Sequence, residues 1–73
     1  MNKKSIDVKI GDYVMREDGI ISLVTDVRPN ACNFSFLYGT DSYGDQGTYI
    51  GTSRNVKEST EQEYEKQKLK KSM

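Results

Sequence analysis

The chain has 73 residues, with 11 basic and 11 acidic side chains and a formal net charge of zero. That length is room for one small domain, and balanced charge argues against a general polyanion binder, which shows a clear basic excess. Histidine is absent and Cys32 is the single cysteine, so an internal disulfide, a Cys–His pair, a Ser–His–Asp triad and the usual zinc ligand sets are excluded within the chain.

Apolar residues make up 34% of the sequence and thin out at both ends. Beyond Met1, residues 1–5 and 57–73 supply only Tyr64, Leu69 and Met73. The expected organisation is a flexible N-terminus (1–5), a β domain (6–58) and a C-terminal helix with a lysine-rich frayed tail (59–73). Ile6, Val8 and Ile10 alternate with Asp7 and Lys9, the period of a half-buried strand. Gly11-Asp12 interrupts it, because glycine permits a sharp change of direction and aspartate bonds nearby amides. Tyr13-Val14-Met15 resumes an extended segment, and Glu17-Asp18-Gly19 is a turn, with Asp-Gly a strong hairpin signal.

The run Ile20 to Val27 is β-branched and long enough for a full strand. Strict alternation puts Ile21, Leu23 and Val27 on one face and Ile20, Ser22, Val24 and Asp26 on the other. Apolar residues on both faces suit a bent strand serving two halves of a barrel. Arg28-Pro29-Asn30 is expected to end it, since proline cannot donate to a ladder. Cys32 follows as a loop-end or core residue rather than a reactive thiol. Asn33 to Tyr38 reads as a third strand, with Phe34, Phe36 and Tyr38 on one face and Ser35 and Leu37 on the other. Gly39 to Gly47 reads as a polar loop, Thr48-Tyr49-Ile50 as a short fourth strand closed by Gly51, and 53–57 as a fifth strand or one helical turn with Val56 buried. Ser59-Thr60 followed by Gln62-Glu63 is a capping-box start for a helix to about Lys71, docked through Tyr64. Its acids come first and its lysines last, which suits the helix dipole.

With these elements in place the chain resembles the SH3-like small barrels, including the KOW and Tudor groups and short bacterial and phage domains. The shared features are Lys9-x-Gly11-Asp12-x-Val14, the Asp18-Gly19 hairpin, the long second strand to Asp26, the aromatic strand Phe34 to Tyr38, and a terminal turn after Val56. The resemblance covers roughly residues 6–60. It implies a mainly-β fold, a small five-stranded SH3-like barrel with a short C-terminal α-helix, that acts by binding through its loops and one barrel face. It names no ligand.

The candidate surface for a protein partner is the glycine-rich loop carrying Tyr38, Asp41, Tyr43, Asp45 and Tyr49. Tyrosines flanked by glycine give large contact area at low entropic cost. The competing reading is a plain hairpin tip with Tyr38 and Tyr49 facing each other across the strand pair. Phe34 and Phe36 are read as core, with base stacking as the alternative. A nucleic-acid surface would draw on Arg16, Arg28 and Arg54 near strand ends and on Lys66, Lys68, Lys70 and Lys71 in the tail. The leading expectation is a non-enzymatic protein-binding module, a regulatory or inhibitory accessory protein of phage-like style, with nucleic-acid binding as the alternative. No cofactor or metal is implied. The N-terminal Met-Asn-Lys-Lys-Ser lacks an apolar stretch behind it, unlike a secretory signal. No run approaches the roughly 18–20 apolar residues of a membrane span. A cytoplasmic location, the host cytoplasm for a viral protein, is the expectation.

Overall fold

The computed structural model describes residues 6–30 and 33–71, and for Lys71 the backbone alone. Cys32 and the expected flexible N-terminus therefore lie outside the described residues. The chain forms five strands, β1 (Tyr13–Met15), β2 (Ile21–Asn30), β3 (Phe34–Asp41), β4 (Thr48–Thr52) and β5 (Lys57–Glu58), and then one helix, α1 (Glu61–Lys71). All described strand pairs are antiparallel, in the order β4-β3-β2-β1-β5. No described helix is long and apolar enough to cross a membrane.

The turns follow the sequence signals. Lys9 donates its backbone N–H to Asp12 Oδ2 at 2.8 Å, and Gly11 takes a φ of 99° that a β-carbon would resist. At the β1–β2 hairpin, Asp18 Oδ1 accepts from the Ile20 amide at 3.0 Å. The expected strand over 6–10 does not form. Ile6 donates to the Ser53 carbonyl at 2.9 Å, and Ile6 and Val8 pack against the core from outside the ladders, while Ile10 is 66% exposed.

The core is Val14, Val24, Leu37, Ile50 and Val56, with Val27 packed against it. These residues come from β1, β2, β3, β4 and the segment entering β5. In a flat sheet the two edge strands would stand roughly 19 Å apart, four strand spacings. Yet a β-carbon on Gly51 of β4 would lie 3.4 Å from Val56 Cγ1. The sheet therefore curls around its core. No ladder joins β4 to β5 among the described residues, so the sheet stays open rather than closing.

A bulge in β2 sets which side chains reach that core. Val24 pairs with Gly39 and Asp26 with Tyr38, so two steps on β2 match one on β3, with Thr25 as the extra residue. The bulge reverses the alternation, and Val27 joins Val24 on the inner face instead of sharing a face with Ile21 and Leu23. β2 also continues through Pro29, which pairs with Ser35. Proline is tolerated there because β1 pairs with β2 over Ile21 to Leu23, leaving that end with one neighbour among the described residues. β3 likewise continues through Gly39 to Asp41, where a loop was expected.

The helix begins as its capping signal predicts: Glu63 donates its amide to Thr60 Oγ1 at 3.2 Å, and Ser59 donates its hydroxyl to Glu63 Oε1 at 3.1 Å. It lies on the outer face of the sheet, opposite the core. Tyr64 stacks against Tyr13 at 5.1 Å between centroids and donates its hydroxyl to the Thr40 and Asp41 carbonyls, both at 3.3 Å. Gln67 makes the second attachment. Its Oε1 accepts from the Ile21 amide (2.7 Å) and the Ser42 hydroxyl (2.5 Å), and its Nε2 donates to the Gly19 carbonyl (2.9 Å). Ser42 donates its own amide to the Ile21 carbonyl at 2.9 Å. The Gln67 amide thus accepts the bond that β3 would have taken from Ile21 had it run one residue further.

Candidate functional site

The α1 helix covers only the β1 end of the outer face. Further along β3 that face carries Phe34, Phe36 and Tyr38, because Leu37, Gly39 and Asp41 turn inward. Across the ladders they stand beside Asn30, Arg28 and Asp26 of β2, and beside Thr52 and Tyr49 of β4. Phe34 meets Phe36 edge-on at 5.3 Å, Phe36 lies 6.4 Å from Tyr49, and Tyr49 lies 5.5 Å from Tyr38. Two arginines lie over the rings: the Arg28 guanidinium carbon is 5.1 Å from the Tyr38 centroid, and that of Arg54 is 5.2 Å from Phe34. These are cation–π distances.

The result is a connected aromatic stripe that remains accessible. Phe34, Phe36 and Tyr38 are half-buried and Tyr49 is 52% exposed. The expectation that Phe34 and Phe36 fill the core is thereby corrected. The core takes the opposite face of β3, through Leu37, and Gly39 there lets β2 approach closely: a β-carbon on Gly39 would lie 1.9 Å from the Leu23 carbonyl oxygen. Asp26 accepts from Arg28 Nε at 2.9 Å. That bond, followed by the Asp26 charge, pushes the Arg28 guanidinium above its already high ordinary pKa.

The five residues grouped by sequence as a protein-binding loop separate in space. Tyr38 and Tyr49 belong to the stripe. Asp41 is buried, and its Oδ1 accepts from the amides of Tyr43 at 2.9 Å and Asp45 at 3.1 Å. Its Oδ2 lies 3.9 Å from Arg16 Nη1. Asp41 thereby shapes the turn that presents Tyr43, 49% exposed, and Asp45, also exposed.

The basic candidates also divide. Arg28 and Arg54 lie on the stripe. Arg16 turns instead to Asp18 (2.6 Å) and Asp41. Lys66 and Lys70 flank Gln67 and Ile21 along α1, and Lys68 pairs with Glu65 at 3.7 Å with its Nζ 5.2 Å from the Tyr64 centroid. The side chain of Lys71 lies outside the described residues. Reading the sequence missed Phe34 and Phe36 as surface residues. The available signal was their parity with Tyr38 and their opposition to Leu37. No protein-family model matches the chain, and no match is found among curated proteins or solved structures.

Proposed function

We propose that this chain is a non-enzymatic protein-binding module on an SH3-like barrel scaffold, and that its contact surface is the stripe Phe34, Phe36, Tyr38 and Tyr49 with Arg28 and Arg54. The observation that carries this reading is the row of touching, accessible rings under two stacked guanidinium groups. Tyrosine, phenylalanine and arginine are enriched at protein interfaces, and tyrosine and arginine dominate the residues whose truncation costs most. Rings that already touch one another lose little freedom when a partner covers them. The strand order and the curl of the sheet support the barrel reading. Tyr43 and Asp45 flank the surface as secondary contacts on the loop held by Asp41.

The test is affinity capture from a cell lysate followed by mass spectrometry, comparing the wild type with Phe36→Ala and Arg54→Ala. Both side chains stand outside the core, so both variants should keep the wild-type circular dichroism spectrum. Partners that depend on the stripe should drop out of both captures, and a capture profile unchanged in both defeats the proposal.

The same rings favour a second reading. Aromatic side chains beside arginines are platforms for stacking the bases of single strands. That reading expects oligonucleotide binding that weakens steeply with salt, falls with Phe36→Ala, and falls again when Lys66, Lys68, Lys70 and Lys71 are exchanged for glutamine with Gln67 left in place. A flat titration at low salt removes it.

A further inference from the structure

α1 and the hydrophobic core lie on opposite faces of the sheet, so separate contacts hold them. Val14, Val24, Leu37, Ile50 and Val56 fill the inner face. Among the described side chains of α1, Tyr64 is buried, Gln67 is half-buried and the others are exposed. Its attachments among the described residues are the Tyr13–Tyr64 ring contact, two bonds from the Tyr64 hydroxyl and three at the Gln67 carboxamide. The groups bonded there face α1, so water takes the place of the helix once it leaves, and that exchange costs far less than stranding a buried group. Release also returns freedom to 11 residues, and a helix of that length is marginal alone in water. The chain stays on the sheet up to Ser59, whose amide donates to the Tyr13 carbonyl at 2.9 Å, one step past the Val14–Glu58 pair. The helical arm begins at Thr60, its cap.

We infer that α1 is a releasable cover, which swings off the sheet as a unit about Ser59 and Thr60 while the strands stay folded. What it uncovers continues the aromatic stripe. The Tyr64 ring reaches from Tyr13 on β1 to the Thr40 carbonyl on β3, and Leu23 pairs with both of those residues, so Tyr64 spans Leu23. Leu23 stands diagonally from Tyr38, which shares a face of β3 with Thr40. Ile21 lies on the same face of β2 as Leu23, in the hollow beside Gln67. With α1 away, Tyr13, Ile21 and Leu23 join the stripe in one apolar face, of the kind that marks interaction surfaces. In the closed state α1 is the occupant of that half, and it limits how far a partner seated on the stripe can spread. The limit rests on the protein-binding reading of the stripe; the release does not. The Gln67 carboxamide is the catch. It grips the backbone on both sides of Ile20, accepting from the Ile21 amide and donating to the Gly19 carbonyl, so release strips the Ile21 amide of its partner.

Native-state amide exchange of the wild-type chain, followed by nuclear magnetic resonance at rising urea below the unfolding transition, tests the release. The reference amides are Val24 and Ser53, bonded to the Asp12 and Ser35 carbonyls at 2.8 and 2.9 Å. Relative to their unstructured rates, the amides of Ile21 and of residues 65–70 should exchange at least about tenfold faster than both references. They should share one urea dependence, shallower than that of the references, because release exposes less surface than unfolding. Exchange of Ile21 and α1 only at the Val24 rate and with its urea dependence overturns the inference, since the helix then leaves only as the sheet unfolds. So does fast exchange in α1 with Ile21 as slow as Val24, which is fraying without release. In the capture experiment, Gln67→Ala should raise the yield of the partners that Phe36→Ala loses, and an unchanged yield overturns the limit on the stripe. Exchange is read on the chain alone, so a stripe without a protein partner and a helix without a release are told apart.

Discussion

Replacing Gln67 tests whether α1 is held to the sheet by polar bonds rather than by an apolar face. Apolar packing gives the helix little help, since Leu69 is 68% exposed and, among its described side chains, only Tyr64 is buried. Gln67→Ala removes three bonds, to the Ile21 amide, the Ser42 hydroxyl and the Gly19 carbonyl. Ile21 and Ser42 are both buried, at 3% exposure each, so water does not easily replace the lost partner. A buried donor left without an acceptor costs about 1–3 kcal/mol, and an ordinary hydrogen bond contributes about 0.5–1.5 kcal/mol. The expected loss is therefore about 2–4 kcal/mol. A single core in a chain of this size supplies on the order of 3–5 kcal/mol in all. With a urea slope of about 1 kcal/mol/M, the unfolding midpoint should fall by about 2 M or more, or α1 should detach first. Gln67→Glu keeps both acceptor bonds and loses only the donation to Gly19, and Lys66 and Lys70 line the same hollow. It should fall between the wild type and Gln67→Ala. Urea titration combined with amide hydrogen exchange at Ile21 measures both effects. Stability of Gln67→Ala within about 0.5 kcal/mol of the wild type, with Ile21 exchanging no faster, would refute the reasoning.

Gly39→Ala should destabilise the fold by about 2–3 kcal/mol or prevent it from forming, because the new methyl would meet the Leu23 carbonyl at 1.9 Å and Ile50 Cδ1 at 3.0 Å; thermal melting followed by circular dichroism checks this. Ser22→Ala should raise stability by about 0.5–1 kcal/mol, since the Ser22 hydroxyl is fully buried and has no hydrogen-bond partner among the described residues, and the urea midpoint reports the gain. Burial, followed by the charge of Glu65, lifts the Tyr64 phenol above its ordinary pKa of 10.0. The folded state holds that proton more tightly than the unfolded chain, so the contribution is full below about pH 10 and is lost as pH rises through the higher folded value. The phenolate would also face the Thr40 and Asp41 carbonyls with nothing to donate. Stability measured against pH should fall above about pH 10, and Tyr64→Phe should flatten that fall. Tyr13, lifted first by burial and then by Glu61 and Glu65, acts in the same direction.

The features readable in advance were those written in local chemistry. Asp12 and Asp18 capture nearby amides, Gly11 and Gly19 adopt positive φ, and Thr60 caps α1; each is a short-range event with a residue-level signature. The docking of Tyr64 was legible as well, because it was one of few apolar side chains in the helix. The features that escaped depend on distant partners. Ile6 and Val8 show strand alternation, yet they meet the core from a segment tied by the Ile6–Ser53 bond rather than by a ladder. Pro29 looked like a terminus because nothing local shows that β1 stops short of it. Gly39 looked like a loop residue, and only the closeness of β2 explains why a glycine stands inside β3. The loop set Tyr38, Asp41, Tyr43, Asp45 and Tyr49 was contiguous in sequence but mixes a sheet face, a buried carboxylate and a turn. The role of Gln67 had no signal at all, since a polar residue in a charged helix reads as solvated.

The unpaired step at Thr25 has a consequence for how this chain tolerates change in length. Thr25 is the one position of β2 that the ladder to β3 does not count. Removing it would leave a single step on each strand, with Asp26 still opposite Tyr38 and Val27 still turned to the core beside Leu37. Removing a residue beyond Asp26 with the bulge kept would instead turn every later side chain of β2 to the other face, so a lost codon is absorbed at Thr25 and read by the fold as an inversion a few positions on.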